Sequence, residues 1–164
     1  MRLILPDEQA TAALATAMAP FLQADDWLLL EGAMGAGKTT FTRSLVAALQ
    51  GDADSVSSPS YALMNAYQAR LPVWHVDAWR LQGDEDFEAL GLDDFALGGI
   101  VIVEWPSRIP ALAQQPAWRM SLQATGNDER SVVLTVPRPA AATALATQLS
   151  NSRFGPIRED ASGE

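Results

Sequence analysis

The segment Gly32-Ala33-Met34-Gly35-Ala36-Gly37-Lys38-Thr39 restricts the possible folds more than any other part of this 164-residue chain. It satisfies G-x-x-x-x-G-K-[ST] at each fixed position, and its flanks supply the context that gives the pattern meaning. Before it, Trp27-Leu28-Leu29-Leu30-Glu31 is a compact apolar run suited to a buried strand. After it, Phe41, Leu45, Ala48 and Leu49 recur at helical spacing across Thr39–Leu49, and Gly51 closes the run. Strand, glycine loop and helix in this order predict an α/β fold whose loop lies beyond the strand's carboxyl end.

A loop of this kind turns its backbone N–H groups around a phosphate, and the following helix adds its unsatisfied N–H groups and the positive end of its dipole. Lys38 is placed to reach the β- and γ-phosphates, and the Thr39 hydroxyl to ligate Mg²⁺. Ten of the eleven basic residues are arginine, so the only lysine, Lys38, stands where a flexible point charge is needed. Its side chain is expected to lie exposed in the loop, with no part in core packing. The chain has no cysteine and a single histidine, His75. Thiolate sites, disulfides and histidine-rich zinc centres are thereby excluded, and oxygen ligands of the magnesium type are favoured. A net charge of −9 argues against a preformed surface for DNA or RNA.

Elsewhere the pattern predicts a short edge strand at Arg2–Leu5 and a helix capped by Asp7 and running to Ala19, with Leu14, Met18 and Phe21 inward. Tyr61, Leu63, Asn65 and Tyr67 are expected to line one strand and Val73–Asp77 to form the next. Asp84–Asp94 reads as a short acidic amphipathic helix, and Ile100–Val103, uniformly β-branched, as a strand covered on both faces. Trp118–Ala124 and Arg130–Val136 read as an antiparallel hairpin, and Pro139–Ser150 as a helix. The expected architecture is a three-layer α/β domain, P-loop NTPase-like, with a mixed β-sheet over residues 1–150 and a flexible tail at 151–164. Met1–Phe21 does not read as a signal peptide and no stretch approaches the roughly 20 apolar residues of a membrane helix, so a cytoplasmic protein is expected.

A P-loop hydrolase needs a carboxylate beside the loop to hold Mg²⁺, directly or through water, and to orient the attacking water. Asp77 and Glu104 both terminate apolar strands, where ligands of open α/β sheets bind. Glu104 is the stronger candidate for the metal; Asp77 competes with a reading as a turn-former capping Ala78-Trp79. Ser57, Ser58 and Ser60 flank Pro59 in a loop that is either a γ-phosphate sensor or a serine-rich turn. His75 is read as a packed, hydrogen-bonded core residue in preference to a catalytic one, and Trp74, Trp79 and Trp105 as packing in preference to an adenine platform. The acids after Asp84 suit a solvated helix face or a docking surface.

Taken together, these residues resemble the TsaE family of bacterial ATPases, which take part in making threonylcarbamoyladenosine in tRNA. The resemblance covers about Leu3 to Val136. It rests on Gly35-Ala36-Gly37-Lys38-Thr39-Thr40-Phe41, Ser58-Pro59-Ser60-Tyr61, His75-Val76-Asp77-Ala78-Trp79-Arg80-Leu81 and Glu104-Trp105-Pro106-Ser107-Arg108. It implies that Lys38 and Thr39 bind phosphate and Mg²⁺, that Glu104 is the second metal-side acid, and that Asp77 stands near the γ-phosphate of ATP. Gly35, Ala36, Gly37, Thr40, Ser60, Thr11 and Arg130 match positions near the nucleotide. The family usually has Thr where this chain has Ser60 and Tyr where it has Trp79. The resemblance further implies an ATPase that is weak alone and acts with two partners, TsaB and TsaD, resetting their assembly between turnovers.

Two other functions fit a P-loop domain. A small-molecule kinase would need a cationic lid, whereas the arginines after Glu104 are scattered over 108, 119, 130, 138, 153 and 158. A non-catalytic, nucleotide-gated binding module would not need both Asp77 and Glu104.

Overall fold

The computed structural model describes residues 1–152. Seven strands form one sheet in the order β1-β7-β6-β2-β5-β4-β3. They are β1 (Arg2–Leu5), β2 (Trp27–Glu31), β3 (Met64–Tyr67), β4 (Val73–Asp77), β5 (Ile100–Glu104), β6 (Trp118–Ala124) and β7 (Arg130–Thr135). The inner strands β4, β5, β2 and β6 run parallel, while β3 at one edge and β7 with β1 at the other run antiparallel. The sheet is thus mixed, and the chain has the α/β P-loop architecture expected of it.

Period-two alternation sends successive residues of the inner strands to opposite layers. Leu28, Leu30, Ile100 and Ile102 join the core shared with α1 (Glu8–Met18), α2 (Lys38–Ala48) and α5 (Pro139–Ser150). Leu29, Val101 and Val103 join a second core under the turns on the other face. All five residues of β5 are buried, which explains its unbroken apolar run. Asp7 caps α1 by accepting from the Ala10 N–H at 2.7 Å.

Three expectations are corrected and one is refined. Phe21 faces inward as expected but is only half-buried, packed at the margin of the first core. The strand expected from Tyr61 begins only at Met64, because Leu63 takes a left-handed φ of 65° and its N–H closes a turn on the Pro59 carbonyl at 2.7 Å. Tyr61 is left 88% exposed. The acidic helix is two short pieces, α3 (Asp84–Glu88) and α4 (Leu92–Phe95), separated where Gly91 adopts φ 70°. Two of its acids are spent locally, since Asp84 accepts from the Ala111 N–H and Asp86 from the Gln82 N–H. Finally, β7 stops at Thr135, one residue short of Val136. The tail expected at 151–164 falls, from residue 153 onward, outside the described residues.

Asp26, just before β2, accepts both Arg138 guanidinium nitrogens at 2.5 and 2.8 Å and the Trp118 indole N–H at 3.2 Å. Arg138 also donates to the Phe21 carbonyl, so this cluster ties the start of α5 to the amino end of β2. The bond to Asp26 holds the guanidinium's pKa above its usual value.

Candidate functional site

The loop between β2 and α2 lies at the carboxyl end of the parallel strands. Two of its glycines are required by shape. Gly37 precedes α2 at φ 104°, and a Cβ on Gly32 would stand 2.4 Å from the Leu122 carbonyl oxygen of β6. With no Cβ at these points the loop can draw tight over the sheet, and the first N–H groups of α2 have no partner within the helix.

Parallel pairing brings the two acids together. Glu104 is in register with Asp77 on β4 and with Leu30 on β2, so both carboxylates emerge beside the glycine loop. Both are buried, at 3% and 4% exposure. Thr39 Oγ1 donates to Glu104 Oε1 at 2.9 Å, which leaves the Thr39 oxygen lone pairs available to a cation. Asp77 Oδ1 accepts from the Trp79 N–H at 2.9 Å and Oδ2 from Ser60 Oγ at 3.0 Å. Asp77 therefore does cap the turn after β4, as one reading held, and in addition reaches the serine loop. Because Ser60 gives its hydrogen to Asp77, Ser58 donates to Ser60, at 2.6 Å.

Lys38 departs from expectation. It is the first residue of α2 and only 5% exposed, with Nζ donating to the Gly32 and Ala33 carbonyls at 2.7 and 3.1 Å and standing 4.1 Å from the centre of the Trp105 ring. The helix start places its Cα against the loop, and the side chain folds along the loop's inner surface instead of into solvent. Burial lowers its pKa below the usual lysine value, against the opposing pull of Glu104, Asp77 and Glu31.

These groups line a cavity of about 270 Å³ whose wall includes Gly35, Thr40, Ser58 and Trp79. A smaller recess of about 80 Å³ on the other side of Gly37 and Thr40 contains Thr11 and Arg130. Thr11 is buried with its hydroxyl turned to the Asp7 carbonyl, and Arg130 Nε donates to the Ala36 carbonyl at 3.0 Å. Arg130 thus braces the loop. Thr11 and Arg130 do not join the Lys38–Glu104 cavity; only Gly37 and Thr40 border both spaces.

A larger apolar cavity, about 370 Å³, lies between β2, β6, β7 and the turns after β5. Its charged groups are already occupied: Glu31 accepts from the Ser107 N–H, and Arg119 donates to three carbonyls, of Leu112, Ala113 and Gln115. The chemistry gathers in the smaller cavity at the glycine loop.

The family model of the threonylcarbamoyl adenosine biosynthesis protein TsaE matches residues 5–132. The chain belongs to the TsaE family. The role carried by that family is threonylcarbamoyladenosine biosynthesis. Among its relatives, the tRNA threonylcarbamoyladenosine biosynthesis protein TsaE of Bacillus subtilis is 36% identical over 136 residues, 82% of this chain and 83% of the relative. The protein of the same name from Rickettsia conorii is 33% identical over 127 residues, 77% and 73% of the two chains. The crystal structure of Bacillus subtilis YdiB is similar in fold, with a TM-score of 0.68 at 28% identity, covering 92% of this chain and 93% of that one.

The Ser60 hydroxyl bonds Asp77, and Trp79 packs on Trp105 with ring centres 4.6 Å apart. Arg108 in turn lies 4.6 Å over Trp79, and Arg80 lies 4.9 Å over Tyr61. Sequence reasoning missed Trp105 as the ring against Lys38. It read His75 correctly as packed and hydrogen-bonded, but not as the partner of Glu104, to which its Nε2 lies 2.9 Å from Oε1. The available signal was period two: His75 and Asp77 occupy the same face of β4.

Proposed function

We propose that this TsaE-family chain is a Mg²⁺-dependent ATPase, weak by itself, that works in the cytoplasm with TsaB and TsaD and resets their assembly in the formation of tRNA threonylcarbamoyladenosine. The observation that carries the ATPase reading is the convergence of Lys38, Thr39, Glu104 and Asp77, with the Ser58–Ser60 loop bonded to Asp77, around one cavity at the glycine loop.

In this reading the loop and the start of α2 bind the phosphates through backbone N–H groups, and Lys38 turns from the Gly32 and Ala33 carbonyls to the β- and γ-phosphate oxygens. Among the described residues no cluster of three or more His, Asp or Glu side chains could hold a metal alone. A magnesium ion that shares its coordination with nucleotide phosphates needs only one or two protein oxygens, which the Thr39 hydroxyl and Glu104 carboxylate supply. When bound, Mg²⁺ neutralises charge on the phosphate oxygens. Asp77, held by the Trp79 N–H, keeps its carboxylate toward the cavity and orients the attacking water. Ser60, bonded to the same carboxylate, makes the serine loop responsive to whatever occupies the γ-phosphate position.

A kinase reading would need a cationic lid, and among the described residues the arginines after Glu104 do not supply a cluster: Arg108 lies over Trp79, Arg119 is tied to carbonyls, Arg130 to the loop and Arg138 to Asp26. No helix among the described residues is long and apolar enough to cross a membrane. The test is phosphate release from ATP by the purified protein, with and without TsaB and TsaD and across a Mg²⁺ titration. Slow, Mg²⁺-dependent release accelerated by the two partners is expected; transfer of the γ-phosphate to a small-molecule acceptor would overturn the reading.

A further inference from the structure

His75 is fully buried, carries the only imidazole in the chain, and its ring nitrogens face Tyr67 and Glu104. Its Nε2 lies 2.9 Å from Glu104 Oε1, the oxygen that also accepts from Thr39. A carboxylate has no hydrogen to give, so Nε2 carries a proton and donates. The group facing Nδ1 is the Tyr67 hydroxyl, at 3.4 Å. The same hydroxyl is 3.1 Å from the Ser57 carbonyl oxygen and receives the Asn65 amide at 3.2 Å. A continuous chain of polar contacts therefore runs from the start of the serine loop through Tyr67, His75 and Glu104 to Thr39.

We propose that His75 is a positioning residue for the divalent cation: braced by Tyr67, it holds Glu104 in the rotamer that meets Thr39, so that metal affinity depends on a side chain that reaches neither metal nor nucleotide. Two features of the packing support this. Glu104 is almost fully buried, and without His75 its Oε1 would keep one of its two hydrogen-bond donors and be free to choose another rotamer. His75 is itself immobilised, lying in β4 between paired strands, with the Tyr67 ring tilted at 44° and 6.1 Å from its own. The Tyr67 hydroxyl donates to the Ser57 carbonyl and faces His75 Nδ1, so the bracing of His75 and the anchoring of the serine loop draw on the same group. Partners that orient a ligating carboxylate typically control metal affinity by about 10- to 100-fold.

This role for His75 rests on the Mg²⁺-ATPase reading of the site. Its test measures Mn²⁺ binding to the full-length protein with saturating ADP by electron paramagnetic resonance, beside ADP affinity without metal. His75→Phe should weaken Mn²⁺ binding by about 10- to 100-fold while metal-free ADP affinity changes less than about twofold. His75→Gln, whose amide nitrogen reaches the place of Nε2, should restore most of the loss. Tyr67→Phe keeps the ring and should cost about two- to tenfold, the worth of one net hydrogen bond. It carries the test if His75→Phe does not fold, and unaltered Mn²⁺ affinity in folded Tyr67→Phe would then overturn the proposal. Wild-type Mn²⁺ affinity in folded His75→Phe, or equal losses of Mn²⁺ and metal-free ADP binding, would overturn it as well. Glu104→Gln separates the two levels: if it loses Mn²⁺ affinity while His75→Phe does not, only the positioning role fails, and if neither loses affinity the metal assignment fails with it.

Discussion

Thr39 Oγ1 and Glu104 Oε1 are 2.9 Å apart although 65 positions separate them in the chain. The bond joins the first turn of α2 to the end of β5, and it exists because β5 lies directly beside β2 in the sheet. Glu104→Gln keeps the shape and loses the charge. It is expected to raise the Mg²⁺ concentration for half-maximal ATP hydrolysis by about tenfold or more, with metal-free nucleotide affinity little changed. A Mg²⁺ titration at fixed ATP checks this, and an unmoved midpoint would return Glu104 to the role of a buried structural acid.

Lys38→Met should weaken ATP binding by about 10- to 100-fold, in line with about 1.5–3 kcal/mol for a charge-assisted hydrogen bond. The free protein should nevertheless be no less stable. Burial places the folded-state pKa of Lys38 below its unfolded value, so the buried ammonium costs stability at neutral pH. Between the folded pKa and the unfolded value near 10.4, the unfolded chain holds more protons and wild-type stability gains relative to Lys38→Met as pH rises. Urea unfolding of both proteins at pH 7 and pH 10 measures the gap, and a wild-type advantage that shrinks with rising pH contradicts the sign.

Asp77→Asn can still accept from the Trp79 N–H, so the turn after β4 should survive. Hydrolysis should fall by about 100-fold or more if the carboxylate orients water. Ser60→Ala removes the hydroxyl that bonds Asp77 and should lower the ratio of ATP to ADP affinity without altering thermal stability. Single-turnover kinetics and calorimetric titration with both nucleotides test the pair. Wild-type rates in Asp77→Asn would leave that residue with its capping role alone.

The Asp26–Arg138 pair makes a prediction for stability without activity. Its side chains are 10% and 33% exposed, so solvent screens the pair in part. Arg138→Ala should cost about 2 kcal/mol, less than the loss expected for a fully buried pair. The pair stands at the opposite end of β2 from the glycine loop, so ATP affinity should stay at the wild-type level. Chemical denaturation beside nucleotide titration distinguishes this from a site effect; an unchanged denaturation midpoint would show the pair to be dispensable.

Binding to TsaB–TsaD should be tightest with ATP bound, because the Ser58–Ser60 contacts end on Asp77 at the cavity wall and Tyr61, 88% exposed, follows directly on the surface. Surface-immobilised TsaB–TsaD, titrated with the protein in ATP, ADP and nucleotide-free states, gives the three affinities. Equal values would remove ATP as the switch.

Features that depend on neighbours in the chain were legible from composition and spacing alone. The glycine loop and its flanking β2 and α2 follow from local apolar period and from backbone shapes open to glycine, and the Asp7 cap and the β6–β7 hairpin are equally local. Asp77 and Glu104 could be singled out because each ends an apolar run, which is a one-dimensional signal. The other relationships required the sheet order. His75 reaches Glu104 only because β4 lies beside β5, and the inward-turned Lys38 ammonium meets the ring of Trp105, sixty-seven positions later, for the same kind of reason. The break at Gly91 and the late start of β3 were hidden for the opposite reason: apolar spacing favoured longer elements, but left-handed turns at Gly91 and Leu63 ended them. Periodicity records which side of an element faces the core; which charge meets which partner is decided by strand adjacency, and that is a property of the whole packed chain.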